Sequence, residues 1–214
     1  MNVSSPIVSQ IPFRIDLLDL HRLNSARYPF LLESSASGEP LGRYDILFAF
    51  PGATLVLDGE FRLSGPGADK TTRFLEALDH WWCKVGRGLA PNLEPFAGGW
   101  FVFLGYELAQ EIEPSLTLRG EPDVPVAFAT RVSVAVIRDR VEARAWIVAE
   151  PGHEGMLDII KADLLALKPI DPKPGCAIVD GFVIEEPPET FLSAVQKAKT
   201  HIARGDIYQA NLSR

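Results

Sequence analysis

The sequence predicts an α+β fold with a largely antiparallel sheet and flanking helices, on three observations. Short runs rich in Val, Ile, Ala and aromatic residues dominate the first two thirds of the chain. Two of these runs, 126–138 and 141–149, are separated only by Asp139-Arg140, a link short enough for an antiparallel hairpin. Three other segments carry apolar residues at helical spacing.

Along the chain, 45–50 and 54–57 flank Pro51-Gly52 and are expected as neighbouring strands across a turn. The apolar run 100–104, closed by Gly105, is a further strand. A helix is expected over 71–85, with Phe74, Leu75, Leu78, Trp81, Trp82 and Val85 at helical spacing, Asp69 as its N-cap and Gly86 as its stop. A second, over 154–167, carries Leu157, Ile160, Leu164 and Leu167 and ends before Pro169, after which comes a linker rich in Pro and Lys. The third, over 190–204, has Thr190 as a cap, Phe191, Ala194, Val195, Ala198 and Ile202 as a buried face, and Gly205 as its end. In 207–213, Ile207, Gln209, Asn211 and Ser213 alternate with Tyr208, Ala210 and Leu212, the period of a strand. A strand there needs a partner, so the natural protein is expected to continue past Arg214.

Composition narrows the function. The 214 residues are 47% hydrophobic and 23% charged, a globular mixture rather than a disordered one, and the length suits one incomplete domain. A net charge of -7 supplies no basic field for nucleic acid. No run approaches the roughly 20 apolar residues of a membrane helix and the N-terminus has no leader pattern, so a cytoplasmic protein is expected. Cys83 and Cys176 match no metal or redox spacing and read as buried free thiols.

Several motifs reduce to bland readings. The segment 65–71 lacks the Gly before Lys70 that a phosphate loop requires. Asn211-Leu212-Ser213 is a chance glycosylation match, and His21, His80, His153 and His201 have no ligand spacing. Glu107 with Glu111, and Glu185 with Glu186, read as solvated carboxylates. Two constellations say more. In the first, Tyr28-Pro29-Phe30-Leu31-Leu32-Glu33-Ser34 precedes Leu41-Gly42-Arg43-Tyr44-Asp45-Ile46-Leu47. These residues suit either an amphipathic ligand, with Arg43 on a carboxylate and Tyr44 or Leu41 over a ring, or a strand edge with an Arg-Asp surface pair. In the second, 205–213 sets Gln209, Asn211 and Ser213 in a row, a polar face that must meet water, a ligand or another polar layer.

Four strings in order, YPFLLES, GRYDILFAFPGATL, PFAGGWFVFLGYELAQ and IARGDIYQANLSR, resemble the chorismate-utilising component I family across essentially the whole chain. The resemblance is to its aminodeoxychorismate synthase component I branch, with anthranilate synthase component I as the close relative. It implies the N-terminal portion of the anthranilate synthase component I-like fold, an antiparallel β-sandwich with flanking helices. Residues 1–170 would be the N-terminal-like region, and 171–214 the linker, helix and first strand of a truncated chorismate-binding region. Carried over by position, it implies a tryptophan pocket containing Ser34, Leu41, Gly42, Arg43 and Tyr44. Asp45 in GRYDILFA points to the aminobenzoate branch, since the anthranilate branch usually reads Arg-Tyr-Ser there.

The implied reaction replaces the 4-hydroxyl of chorismate with an amino group, using ammonia from a separate glutamine amidotransferase subunit and Mg2+ on the substrate carboxylate. The family's metal ligands and its catalytic histidine and lysine lie in motifs downstream of Arg214. No catalytic residue is assigned here, and this chain alone is expected to be inactive. A stand-alone ligand-binding module is the alternative of another class.

Overall fold

In the computed structural model of the protein, the described residues are 5–34, 42–69, 73–85, 95–167 and 186–212. In order they form β1 (Ile7–Ile11), α1 (Leu17–Leu23), β2 (Phe30–Leu32), β3 (Tyr44–Leu57), β4 (Leu63–Ser64), α2 (Phe74–Val85) and β5 (Gly99–Leu104). A 3-10 turn (Tyr106–Leu108) leads into α3 (Ala109–Ile112), followed by β6 (Ala127–Asp139), β7 (Arg144–Ala149), α4 (Glu154–Ala166) and α5 (Pro188–Arg204). The chain divides into two compact units, residues 1–168 and 169–214.

The first unit is α+β with a wholly antiparallel sheet, and its seven strands form one continuous sheet. No second sheet faces it among the described residues. Its axis is the pairing of β3 with β6, from Tyr44↔Asp139 to Leu57↔Ala127. The expected turn at Pro51-Gly52 is therefore a bulge inside one long strand. Phe50 adopts φ 54° and gives its N–H to the Arg27 carbonyl at 2.7 Å, while Pro51 has no N–H to give. The register slips between Pro51 and Thr54, and both ends of β3 stay paired to β6.

The partners change along the axis, which makes two half-sheets. At one end β2 lies on β3 and β7 on β6, with β1 outside β7. At the other, β4 lies on β3 and β5 on β6. In the first half one face buries Leu47, Val134, Val136 and Ile147 against Leu17 and Leu20 of α1 and Leu157 and Ile160 of α4. The other face buries Ala135, Ile137, Trp146 and Val148, with Phe96 packed on them. Burial on both faces explains why 126–138 reads as a nearly unbroken apolar run. In the second half Leu55, Leu57, Ala127 and Ala129 pack on Phe74, Ala77 and Trp81 of α2. Its opposite face carries an aromatic ladder. Phe30 stacks on Phe101 at 4.1 Å although β2 and β5 lie on opposite sides of the β3–β6 pair, so the sheet curls over this face.

The helices depart from expectation in instructive places. At the start of α2 Glu111 caps the first turn: its carboxylate accepts from the backbone N–H of Phe74 at 2.9 Å and of Leu75 at 3.2 Å. Contacts through Phe74, Ala77 and Trp81 leave Leu75, Trp82 and Val85 exposed. Cys83, expected buried, is exposed; Cys176 lies outside the described residues. The seven-residue α1, too short to show a period, is held at its start by Asp16, whose side chain accepts from the Leu18 N–H at 2.9 Å.

In the second unit α5 starts two residues before Thr190, with Pro188 in its first turn, and ends at Gly205 in the left-handed region, φ 78°. The expected apolar stripe is there, but none of its residues is buried. Residues 207–212 are irregular rather than a strand. The alternation is present without a ladder partner among the described residues, and strand backbone is stabilised only by pairing.

Candidate functional site

The hairpin of β6 and β7 and the start of β3 bring a set of charged side chains to one end of the sheet. Asp45, the second residue of β3, is fully buried and lies opposite Arg138. Its Oδ2 accepts from Nε of Arg138 at 2.8 Å and from Nε of Arg140 at 2.8 Å. Its Oδ1 lies 2.6 Å from Nη2 of Arg140 but off the hydrogen-bonding direction, so that contact is an ion pair without a hydrogen bond. The two guanidinium groups also hold the segment after β2. Arg140 Nη1 donates to the Ser34 carbonyl at 2.8 Å, Arg138 Nη2 to the Glu33 carboxylate at 3.1 Å, and Arg138 Nη1 to the Ile15 carbonyl at 3.0 Å. Asp45 raises the pKa of Arg140 above its ordinary value, chiefly through the side-chain hydrogen bond.

A second buried carboxylate lies next door. Asp139 accepts from Nε and Nη2 of Arg43 at 3.1 and 2.9 Å, and its Oδ1 caps the hairpin by accepting from the N–H groups of Val141 and Glu142. Burial pushes the Asp139 pKa up, but the hydrogen bonds from Arg43 and from those two amides outweigh it, and the net shift is downward. The Arg43 guanidinium also lies 4.9 Å over the Tyr44 ring.

Of the residues expected in the pocket, Ser34, Arg43 and Tyr44 are thus gathered around Asp45 and Asp139. Gly42 turns the chain into β3 at φ 87°, a conformation that favours glycine. Leu41 lies outside the described residues. Of the partners that assemble the cluster, Glu33 lay within the first constellation, whereas Arg138, Asp139 and Arg140 carried no signal that joined them to it. Arg138 and Arg140 stand 93 and 95 residues from Asp45.

Two other ion pairs, one buried and one partly buried, tie elements together. Arg131 donates through Nη2 to Glu150, through Nη1 to the Gly99 carbonyl at 2.8 Å, and stacks 4.8 Å over Trp100. Asp163 of α4 receives Arg27 Nη1 and, at 2.5 Å, the Tyr28 hydroxyl. Burial, then the hydrogen bond to Asp163, pushes the Tyr28 pKa upward, so its phenol stays protonated. Among the described residues no three His, Cys, Asp or Glu side chains gather as a metal site. No described helix is long and apolar enough to cross a membrane.

Comparison with solved structures defines the class of fold. The protein resembles anthranilate synthase component I from Streptococcus pneumoniae, with a TM-score of 0.55 at 15% identity, over 90% of this chain and 46% of that one. The chain belongs to the family of chorismate binding enzymes, whose profile matches residues 52–214. Among curated relatives, anthranilate synthase component 1 of Synechocystis is 28% identical over 89% of this chain and 43% of its own length. Aminodeoxychorismate synthase component 1 of Bacillus subtilis is 27% identical over 97% of this chain and 47% of its own length. The enzyme of that name from Klebsiella aerogenes is 31% identical over 56% of this chain and 28% of its own length. The chain spans less than half the length of the relatives it matches, and both names occur among them at similar identity.

Proposed function

We propose that this chain is part of an aminodeoxychorismate synthase component I. The whole enzyme would convert chorismate and glutamine-derived ammonia to 4-amino-4-deoxychorismate, on the way to 4-aminobenzoate and folate. Asp45 carries the choice of branch. Its carboxylate sits between Arg138 and Arg140 in a buried position, and a serine there, as the anthranilate branch usually has, would offer no negative charge to either. The chain itself does not turn over chorismate in this reading, because the magnesium ligands and catalytic groups belong to segments after Arg214. The glutamine amidotransferase subunit is the proposed partner, and the cytoplasm the proposed location.

In the same reading L-tryptophan binds beside Ser34, Leu41, Gly42, Arg43 and Tyr44. The support is geometric: the strand start that carries Arg43 and Tyr44 and the Ser34 segment are fixed to the same two arginines through Asp45 and the Ser34 carbonyl. The test of the branch is a product assay on the full-length protein with chorismate, Mg2+ and ammonium. The expected product is 4-amino-4-deoxychorismate; anthranilate would transfer the chain to the other branch, and neither product would leave it a binding module.

A further inference from the structure

Within the first unit, the bulge in β3 and the start of α4 enclose an open cavity of about 620 Å³ that has no part in the cluster around Asp45. That volume suits a small organic ligand. Its wall includes Arg27, Arg131 and His153 and no acidic side chain, on a chain whose net charge is -7. The acids that hold the two arginines, Asp163 and Glu150, are outside the lining. Arg27 commits Nη1 to Asp163 and lies 5.6 Å over the Phe50 ring, which keeps the head in place with N–H groups to spare. The His153 ring makes no protein hydrogen bond, and as the N-cap of α4 it places no side chain on the first turn. The start of the same helix is occupied by the Glu154 carboxylate, which accepts from the Gly152 N–H at 3.1 Å and is outside the lining. Phe50, beneath Arg27, with Pro51 and Met156 supplies the apolar part of the lining.

We propose that this cavity binds a small carboxylate carried on a flat apolar ring, with the carboxylate toward Arg27 and His153 and the ring against Phe50 and Met156. Arg27 lies before β2 and Ser34 after it, so this site stands or falls independently of the tryptophan pocket.

Benzoate is a suitable probe, with benzamide as its uncharged counterpart, titrated into the isotopically labelled 214-residue chain and followed by amide NMR. Benzoate is expected to shift the Phe50, Gly52 and Met156 resonances while benzamide shifts them far less. Arg27→Gln should weaken binding about tenfold or more, the scale of losing one charge-assisted hydrogen bond. Because Arg27 also supports Asp163, Ala26→Phe is the second variant. It alters an exposed position on the cavity wall, where it leaves the fold intact and fills the space, and it should abolish the shifts. The proposal is overturned if benzoate leaves these resonances unmoved, if benzamide binds equally well, or if Ala26→Phe binds as the parent does.

Discussion

The two halves of the sheet share the same two strands and are finished in opposite ways. The half that carries β1, β2 and β7 buries both faces of β6 and β7, and its two enclosed carboxylates have partners: Asp45 and Asp139 are fully buried and each is held by arginine. The half that carries β4 and β5 is covered by α2 on one face only, and leaves Trp82, Val102, Phe103 and Leu104 at least 40% exposed. A closed sheet must neutralise the polar groups it encloses, because an unpaired buried charge costs several kcal/mol. An open one keeps its apolar surface in water. The closed half is thus where a side chain has a fixed partner and can define a site.

The largest effect expected from breaking this contrast is at Asp45. Asp45→Ala leaves Arg138 and Arg140 without their buried counter-charge and should cost about 3–5 kcal/mol, read as a lower urea midpoint. Next come paired truncations. Leu47→Ala, in the closed half, should cost about 2–5 kcal/mol, whereas Leu104→Ala, 53% exposed in the open half, should cost less than about 0.5 kcal/mol. Equal costs at the two positions would remove the distinction between the halves.

Tyr28→Phe removes the hydroxyl bonded to Asp163 and should cost about 1–2 kcal/mol. The Tyr28 pKa is raised in the folded state, so its contribution is fully present below the ordinary value of 10.0 and lost as pH climbs above it. Asp139 acts in the other direction. Its folded pKa is depressed, so its contribution is present above the ordinary 3.8 and lost as pH falls through the lower folded value. Urea midpoints of the parent and of Tyr28→Phe should therefore converge above pH 10. The smallest effect is Glu111→Ala, which uncaps α2 and should cost about 1 kcal/mol, seen as faster amide exchange at Phe74 and Leu75.

What could be read from the sequence follows from the range of the interactions. The β6–β7 hairpin was legible because its two runs are adjacent and apolar, although the link is 140–143 rather than two residues. The α4 and α5 stripes were legible from their period. Pro51-Gly52 misled because turn chemistry and bulge chemistry use the same residues, and only pairing with β6, some 80 residues on, decides between them. Glu111 read as a solvated carboxylate because its role as a cap depends on α2, 37 residues earlier. The pocket residues were named through resemblance; the arginines that gather three of them are invisible to any local pattern.

The claim that the closed end of the sheet is a ligand site is tested most directly by tryptophan calorimetry on the full-length protein and its Arg43→Ala variant. The account predicts binding by the parent and clearly weaker binding by the variant, because Arg43 fixes Tyr44 and Asp139 at that end. No binding by the parent, or unchanged binding by Arg43→Ala, would contradict it and leave the cluster around Asp45 a purely structural ion-pair network.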